Sequence, residues 1–233
     1  MKKKILCTIC ARKGSKGLPN KNILNLLGKP LIYHSLDQAR KIKQFSKIVV
    51  SSDSKKILTI SKNKANYFIK RPEKLSGDHS SKIKVIKHAL IESEKKFKTV
   101  FDYIVDLDVT SPLRSKKDIL DAIKIISRKK KGNLISGYDA RRNPFFNQVT
   151  FKNKKLSLVC KTKKPIVRRQ DAPKIFDLNA SIYIWSRKRI LTSKKLIHND
   201  TIFFKMPYLR SIDIDDKTDF MIVEYIFKNN LNK

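Results

Sequence analysis

Residues 10–22, Cys-Ala-Arg-Lys-Gly-Ser-Lys-Gly-Leu-Pro-Asn-Lys-Asn, gather Arg12, Lys13, Lys16 and Lys21 with Gly14 and Gly17 in one short loop, directly after an apolar run at 5–9. The two glycines let the backbone curl until its N–H groups point inward, and Arg12, Lys16 and Lys21 add fixed cations. A triphosphate fits such a cradle; a solvated turn is the plainer alternative. The loop has neither G-x-x-x-x-G-K-[ST] nor G-x-G-x-x-G, which excludes a P-loop and a dinucleotide-binding turn. Near the other end, Asp213 and Asp215 stand two apart in Ser-Ile-Asp-Ile-Asp-Asp, so in extended backbone both carboxylates face one side. Paired carboxylates repel unless a cation neutralises them, and hard oxygen ligands suit Mg2+ bridging to phosphate. The competing role is a helix N-cap, which Asp216 or Lys217 can take, leaving the alternating pair for metal.

These groups need elements to hold them. Apolar runs predict strands at 3–10, 47–52, 66–70, 101–108, 133–138 and 180–186, with a short acidic strand at 210–216. Apolar residues at helical spacing predict helices at 30–42, 54–63, 84–97, 116–129 and 217–230. Alternation of this kind implies an α/β fold, a Rossmann-like three-layer and mostly parallel sheet with right-handed crossovers. Ligands of such sheets sit at the carboxyl ends of the strands, where the loops at 11–22, 51–54 and 108–114 gather. The rhythm breaks over 139–180, where 148–160 alternates about Asn-Lys-Lys as a hairpin and a polar, arginine-bearing stretch follows. The expectation is one domain over 1–233 with an inserted arm at 139–180.

Composition narrows the function classes. A chain of 233 residues with 40% apolar residues can bury a core, so disorder is not expected. The 54 Lys+Arg against 20 Asp+Glu give a formal charge of +34, a balance that suggests a nucleic acid, an acidic membrane or an anionic substrate. The lysines are scattered over nearly every segment rather than set in one stripe with aromatics, and only 12 of the 54 cations are arginines. A lysine-coated surface with an anionic small-molecule substrate is therefore preferred to a specific nucleic-acid partner. The basic start followed by about seven apolar residues, without a small-residue cleavage site, does not read as a signal peptide, and no run reaches the length of a membrane helix. Three cysteines fit a reducing compartment, and the expected location is the cytoplasm. Cys7 and Cys10, three apart on a strand, face opposite sides and do not form a metal or redox pair.

The stretches 10–22, 71–82 (Arg-Pro-Glu-Lys-Leu-Ser-Gly-Asp-His-Ser-Ser-Lys), 110–114 (Thr-Ser-Pro-Leu-Arg), 168–185 and 211–215 resemble, in the same order, the motifs of the CMP-sialic acid synthetases, or acylneuraminate cytidylyltransferases. The resemblance extends over nearly the whole chain. It implies a nucleotidyltransferase-type sheet and an enzyme that joins CTP to a 2-keto-3-deoxy sugar acid, giving a CMP-sugar and pyrophosphate. It also implies Mg2+, and a homodimer whose subunits exchange arms near 139–180. Carried over by motif, Arg12, Ser15, Lys16, Lys21 and Asn22 would hold the triphosphate and nucleotide. Arg71, Asp78, Ser80 and Ser81 would surround the cytosine and ribose. Asp213 and Asp215 would bind the metal and, with Lys21, form the catalytic set. Arg169 would meet the carboxylate of the sugar, with Asn179 in the matching strand.

Departures from the family pattern fall on the sugar side. Asp108 stands where the sialic acid members have glutamine, Phe146 where they have lysine, and Asp177 where they have a second arginine. Asp108, Phe146, Asn147, Arg169, Asp177 and Asn179 thus form the expected sugar-binding set. A site built to pair polar groups penalises a substrate that leaves them unpaired, so these changes should alter which sugar fits. The pattern Asn-Pro-Phe-Phe-Asn with 168–185 resembles the legionaminic acid branch most, while pseudaminic and N-acetylneuraminic acids stay open. A nucleotidyltransferase for sugar phosphates and a basic nucleic-acid-binding protein are the rival readings.

Overall fold

In a computed structural model of the chain, residues 3–14, 17–77, 80–130, 132–163 and 166–232 are described. The chain opens with β1 (Ile5–Cys10). Ile5, Cys7 and Ile9 enter a core cluster with residues of α1 (Leu31–Arg40), while Leu6 enters a second cluster on the other face. Both faces are covered, which is why this strand is apolar without alternation. Cys10 packs against the second cluster, so Cys7 and Cys10 do point to opposite sides. Between β1 and α1 lies a small ribbon of β2 (Asn25–Leu26) and β3 (Lys29–Pro30), whose turn needs positive φ at Leu27 and Gly28.

The alternation then runs β4 (Phe45–Ser52), α2 (Lys55–Ser61), β5 (Tyr67–Lys70), α3 (Lys82–Phe97), β6 (Tyr103–Leu107), α4 (Lys116–Lys129) and β7 (Asn133–Asp139). A hairpin of β8 (Val149–Lys152) and β9 (Lys155–Leu158) follows, then β10 (Phe176–Ser186), α5 (Arg187–Thr192), β11 (Ile202–Lys205) and α6 (Lys217–Lys228). Seven strands form one sheet in the order β11-β7-β10-β6-β1-β4-β5. β1 is parallel to β4 and β6, and β10 alone among these runs antiparallel to its neighbours β6 and β7. The order reverses at β1: β4 and β5 lie on one side and β6 on the other, which opens a crevice at the carboxyl ends of β1 and β6. Residues of α1, α4 and α6 share one core cluster and those of α3 and α5 the other, giving three layers and the expected α/β fold.

The differences from the sequence reading have local causes. Residues 212–214 are irregular rather than a strand: Ile214 N donates to Thr110 O (2.8 Å) in a loop, and no strand among the described residues pairs with them. β11 and α5 were not anticipated; β11 is a four-residue edge whose adjacent Phe203 and Phe204 hide any alternation. β10 begins at Phe176 rather than 180, through a register shift between Leu178 and Tyr183 where Ala180 takes φ 50. α3 begins at Lys82, two residues before the predicted start. The β8–β9 hairpin is a separate sheet outside the seven strands, and Phe151 (75%) and Leu156 (63%) on it are exposed. No described helix is long and apolar enough to cross a membrane.

Candidate active site

A cleft of about 540 Å3 lies at the crevice beside β1 and β6. From the expected nucleotide set, Arg12, Lys21, Asn22, Arg71 and Ser80 line it; Asp108, Asp213 and Asp215 line it too. Ser15, Lys16 and Asp78 lie outside the described residues. Ser81 is the N-cap residue of α3, its side chain making no capping bond. A second cavity, about 630 Å3, sits at the opposite ends of the strands near Gly132 and Lys195; its carboxylate Asp200 is already paired with Arg189 (2.7 Å).

The glycine loop is held from three sides. Lys13 N donates to Asp53 Oδ1 (2.7 Å), just beyond β4, and buried Asn22 donates from Nδ2 to the Arg12 carbonyl (2.9 Å). On the third side the loop presses against the acidic segment: a Cβ on Gly17 would lie 2.5 Å from Asp215 O. Only glycine allows that approach. Lys21 Nζ then meets Asp215 Oδ1 at 2.9 Å, so the two ends of the chain, read separately as an anion cradle and a carboxylate pair, form one site.

Asp213 and Asp215 flank fully buried Ile214, which fixes both carboxylates toward the cleft. Burial, and next the charge of Asp215, raises the Asp213 carboxyl to about 6. Such a pair takes a hard divalent cation readily, since two protein oxygens leave room for waters and phosphate oxygens. Among the described residues no group of three or more His, Cys, Asp or Glu could hold a metal alone. Asp216 takes the N-cap of α6 in a capping box with Asp219, so the cap and the pair are separate jobs.

The floor of the cleft carries a polar cluster. Asp106 is fully buried; Thr8 Oγ1 donates to its Oδ1 (2.6 Å), and its Oδ2 lies 3.3 Å from Lys82 Nζ. Asp108 accepts from Lys82 Nζ at 2.6 Å and from Thr110 N and Oγ1, each 3.1 Å. Burial pushes the Asp108 carboxyl up, but the Lys82 charge and hydrogen bond, with smaller help from Thr110 and Arg114, bring it down to about 2. Burial and then Asp106 hold the Cys10 thiol well above its usual range, which removes it as a nucleophile at neutral pH. Lys82, Thr110 and Ala180 are cleft residues that the sequence reading missed. A cation in the first turn of a helix opposes the helix dipole, and that was the available signal for Lys82.

Arg71, 6% exposed, is fastened by its Nη2 to Ser51 O (2.7 Å). Arg114 is also buried and ties the 108–114 loop together: Nη1 donates to Ser111 O (2.8 Å) and Ser181 O (3.2 Å), Nη2 to Asp108 O (2.6 Å) and Ser35 Oγ. Asn179, expected at the sugar, is 1% exposed and bonded inside the fold, accepting from Ser136 Oγ (2.7 Å) and donating to Ser211 Oγ (2.9 Å). It thereby anchors the segment that carries Asp213. The cleft lining among the described residues does not include Phe146, Asn147, Arg169 or Asp177. Asn147 Oδ1 accepts from Asn143 N (2.8 Å) in the turn beside half-buried Phe146, and exposed Arg169 donates to Arg141 O (3.1 Å). Asp177 pairs in register with Tyr138, whose phenol is raised by burial and then by the Asp177 charge.

Known proteins agree with this architecture. The protein is 43% identical to CMP-N,N'-diacetyllegionaminic acid synthase of Campylobacter jejuni, over 95% of this chain and 94% of that one. It is 42% identical to post-translational flagellin modification protein B of Campylobacter coli, over 96% and 95% respectively. Its fold matches a structure of CMP:2-keto-3-deoxy-manno-octonic acid synthetase complexed with CTP, with a TM-score of 0.69 at 16% identity, covering 97% of this chain and 99% of that one. The family model described as Cytidylyltransferase matches residues 6–227, and the chain belongs to the cytidylyltransferase family.

Proposed function

We propose that the protein transfers the cytidylyl group of CTP to the anomeric 2-hydroxyl of a nonulosonic acid, legionaminic acid in preference, and releases pyrophosphate. The observation that carries this reading is the meeting of the loop cations with the carboxylate pair, 2.9 Å between Lys21 and Asp215, in a chain of this family. The hydroxyl oxygen attacks the α-phosphorus in line, the bond to the β-phosphate oxygen breaks, and the hydroxyl proton leaves. Little covalent work falls to the protein in such a step, so positioning and charge neutralisation supply the rate.

Asp213 and Asp215 would hold Mg2+, which when bound neutralises charge on the phosphate oxygens. Arg12 and Lys21 face the triphosphate, and Ser15 and Lys16 of the same loop are assigned to it by motif. Arg71 and Ser80 border the nucleoside, joined in this role by Asp78 and Ser81. Asp108 stands on the acceptor side, at the end of β6.

The enzyme works as a homodimer in this reading, each arm reaching the partner's cleft. Two features support it: Phe146, Asn147, Arg169 and Asp177 are not in the lining of their own cleft, and the hairpin presents exposed Val149, Phe151 and Leu156. Its place is the cytoplasm, where CTP is supplied. Legionaminic acid is favoured because of the apolar Phe146 and the relative from Campylobacter jejuni.

Comparing kcat/KM for legionaminic, pseudaminic and N-acetylneuraminic acids tests the choice. A pocket wall discriminates by roughly 10- to 200-fold, and that preference for legionaminic over N-acetylneuraminic acid is expected. Equal values, or preference for N-acetylneuraminic acid, would overturn the choice of sugar and leave cytidylyl transfer standing.

A further inference from the structure

Lys82 lies in the first turn of α3, where a cation is disfavoured by the helix dipole, and its side chain is 29% exposed. A buried ammonium is tolerated only when its protons are taken up. Here Nζ donates to Asp108 Oδ2 (2.6 Å) and to the Ala180 carbonyl oxygen (3.4 Å), and forms an ion pair with Asp106, whose Oδ2 lies 3.3 Å away. It also sits 4.5 Å from the centroid of the Tyr183 ring. Ala180 presents its carbonyl from a left-handed conformation, φ 50, at the register shift of β10.

The consequence falls on Asp108. Its Oδ1 accepts two bonds from Thr110, and its Oδ2 one from Lys82. A carboxylate oxygen takes about two such bonds, so Oδ2 keeps one acceptor position on the cleft wall. A negative acceptor repels phosphate oxygens and favours an uncharged donor. We propose that Lys82 is the positioning residue of the acceptor side, fixing Asp108 as an ionised carboxylate that accepts a hydroxyl or amide N–H of the incoming sugar acid. This rests on the reading of the cleft as a site for cytidylyl transfer and adds to it the group that orients the sugar's donor.

The groups facing Asp108 are Lys82 from α3, Asp106 on β6, Arg114 from the following loop, Tyr183 on β10 and Asp213 before α6. Without the Lys82 charge, Asp108 keeps its burial and the neighbouring carboxylate of Asp106 but loses its main compensating cation, and it takes up a proton near neutrality. A protonated Asp108 donates where it should accept.

The test is steady-state kinetics with CTP, Mg2+ and legionaminic acid from about pH 6 to 9 on wild type, Lys82→Met and Lys82→Arg, where the expected rise in KM for the sugar acid in Lys82→Met is at least about 10-fold, with KM for CTP within about threefold. A new ionisation in kcat/KM for the sugar acid should appear in Lys82→Met, and Lys82→Arg should recover most of the loss. A rise confined to CTP, or a uniform loss with an unchanged pH profile, overturns the proposal. Asp108→Asn serves if Lys82→Met does not fold; it should raise KM for the sugar acid without the new ionisation, and an unchanged KM overturns the proposal. Carbon-13 carboxyl NMR reads the same point without turnover. Asp108 should titrate near neutrality in Lys82→Met but far below it in wild type, and identical titrations overturn the proposal even if the wild type transfers no cytidylyl group.

Discussion

Lys21 Nζ and Asp215 Oδ1 lie 2.9 Å apart, with the Lys21 side chain 11% and the Asp215 side chain 76% exposed. The lysine assigned to the triphosphate is thus docked on a carboxylate assigned to the metal. If Asp215 holds the metal as proposed, the ammonium and the cation compete for that carboxylate. Lys21→Met should therefore bind Mn2+ more tightly than wild type in the absence of CTP, by electron paramagnetic resonance titration, while its turnover with CTP falls about 100-fold. Equal Mn2+ affinity in the two proteins would contradict the competition.

The carboxylate pair and the helix cap separate by mutation. Asp215→Ala should lower kcat/KM by about two orders of magnitude or more with stability little changed, because it removes a ligand from a charge-stabilising site. Asp216→Ala should cost about 1 kcal/mol of stability in denaturant melts through loss of the cap, with turnover retained. The reverse pattern would exchange the two roles.

How much of this was legible in the sequence depends on whether the signal was local. The loop at 10–22 and the pair Asp213 and Asp215 declare themselves through charge and spacing, and β1 through its unbroken apolar run. Neither stretch says that the other is its neighbour; that contact spans 194 residues and is set by the order of strands around β1. In sequence Lys82 is one more lysine in a chain of +34, and only its contacts with Asp106 on β6, Asp108 just beyond it and Ala180 on β10 distinguish it. Asn179 was legible as important but not in its role, since its partners Ser136 and Ser211 come from distant segments. β11 was illegible because an edge of four residues needs no alternation.

Asp213 gives the protein a pH signature. Its folded-state value, about 6, is above the unfolded carboxylate range. Between the two values the native state binds the extra proton, so its contribution to stability falls as pH rises from about 4 through 6 and stays low above. Denaturant melts of metal-free protein should show this slope, and Asp213→Asn should remove it. Because a cation needs the ionised form, the Mg2+ concentration for half-maximal turnover should rise as pH falls below about 6. A half-maximal concentration that is the same on both sides of that value would contradict the assignment of Asp213.

Gly17→Ala tests the close approach of loop and acidic segment. Its new Cβ would meet Asp215 O at 2.5 Å, and backbone on both sides must give way. Turnover should drop at least about 10-fold through misplacement of Lys21 and Asp215, with KM for CTP raised. Wild-type kinetics would show that the contact is not needed.

Arg114 holds the 108–114 loop through buried carbonyls of Ser111, Ser181 and Asp108. Arg114→Met takes the donor from Ser111 O and one of the two donors from each of Ser181 O and Asp108 O, and should cost about 3 kcal/mol or more in chemical denaturation. Arg114→Lys should recover little, since an ammonium cannot span the same fork. Full stability of either variant would contradict this account of the loop.

The central claim, cytidylyl transfer to a nonulosonic acid, is tested most directly by phosphorus NMR of the protein incubated with CTP, Mg2+ and legionaminic acid. The account predicts equimolar pyrophosphate and a new phosphodiester signal, both absent when the sugar acid is withheld. CTP left intact with legionaminic, pseudaminic and N-acetylneuraminic acids alike, or turnover only with a sugar phosphate, would contradict it.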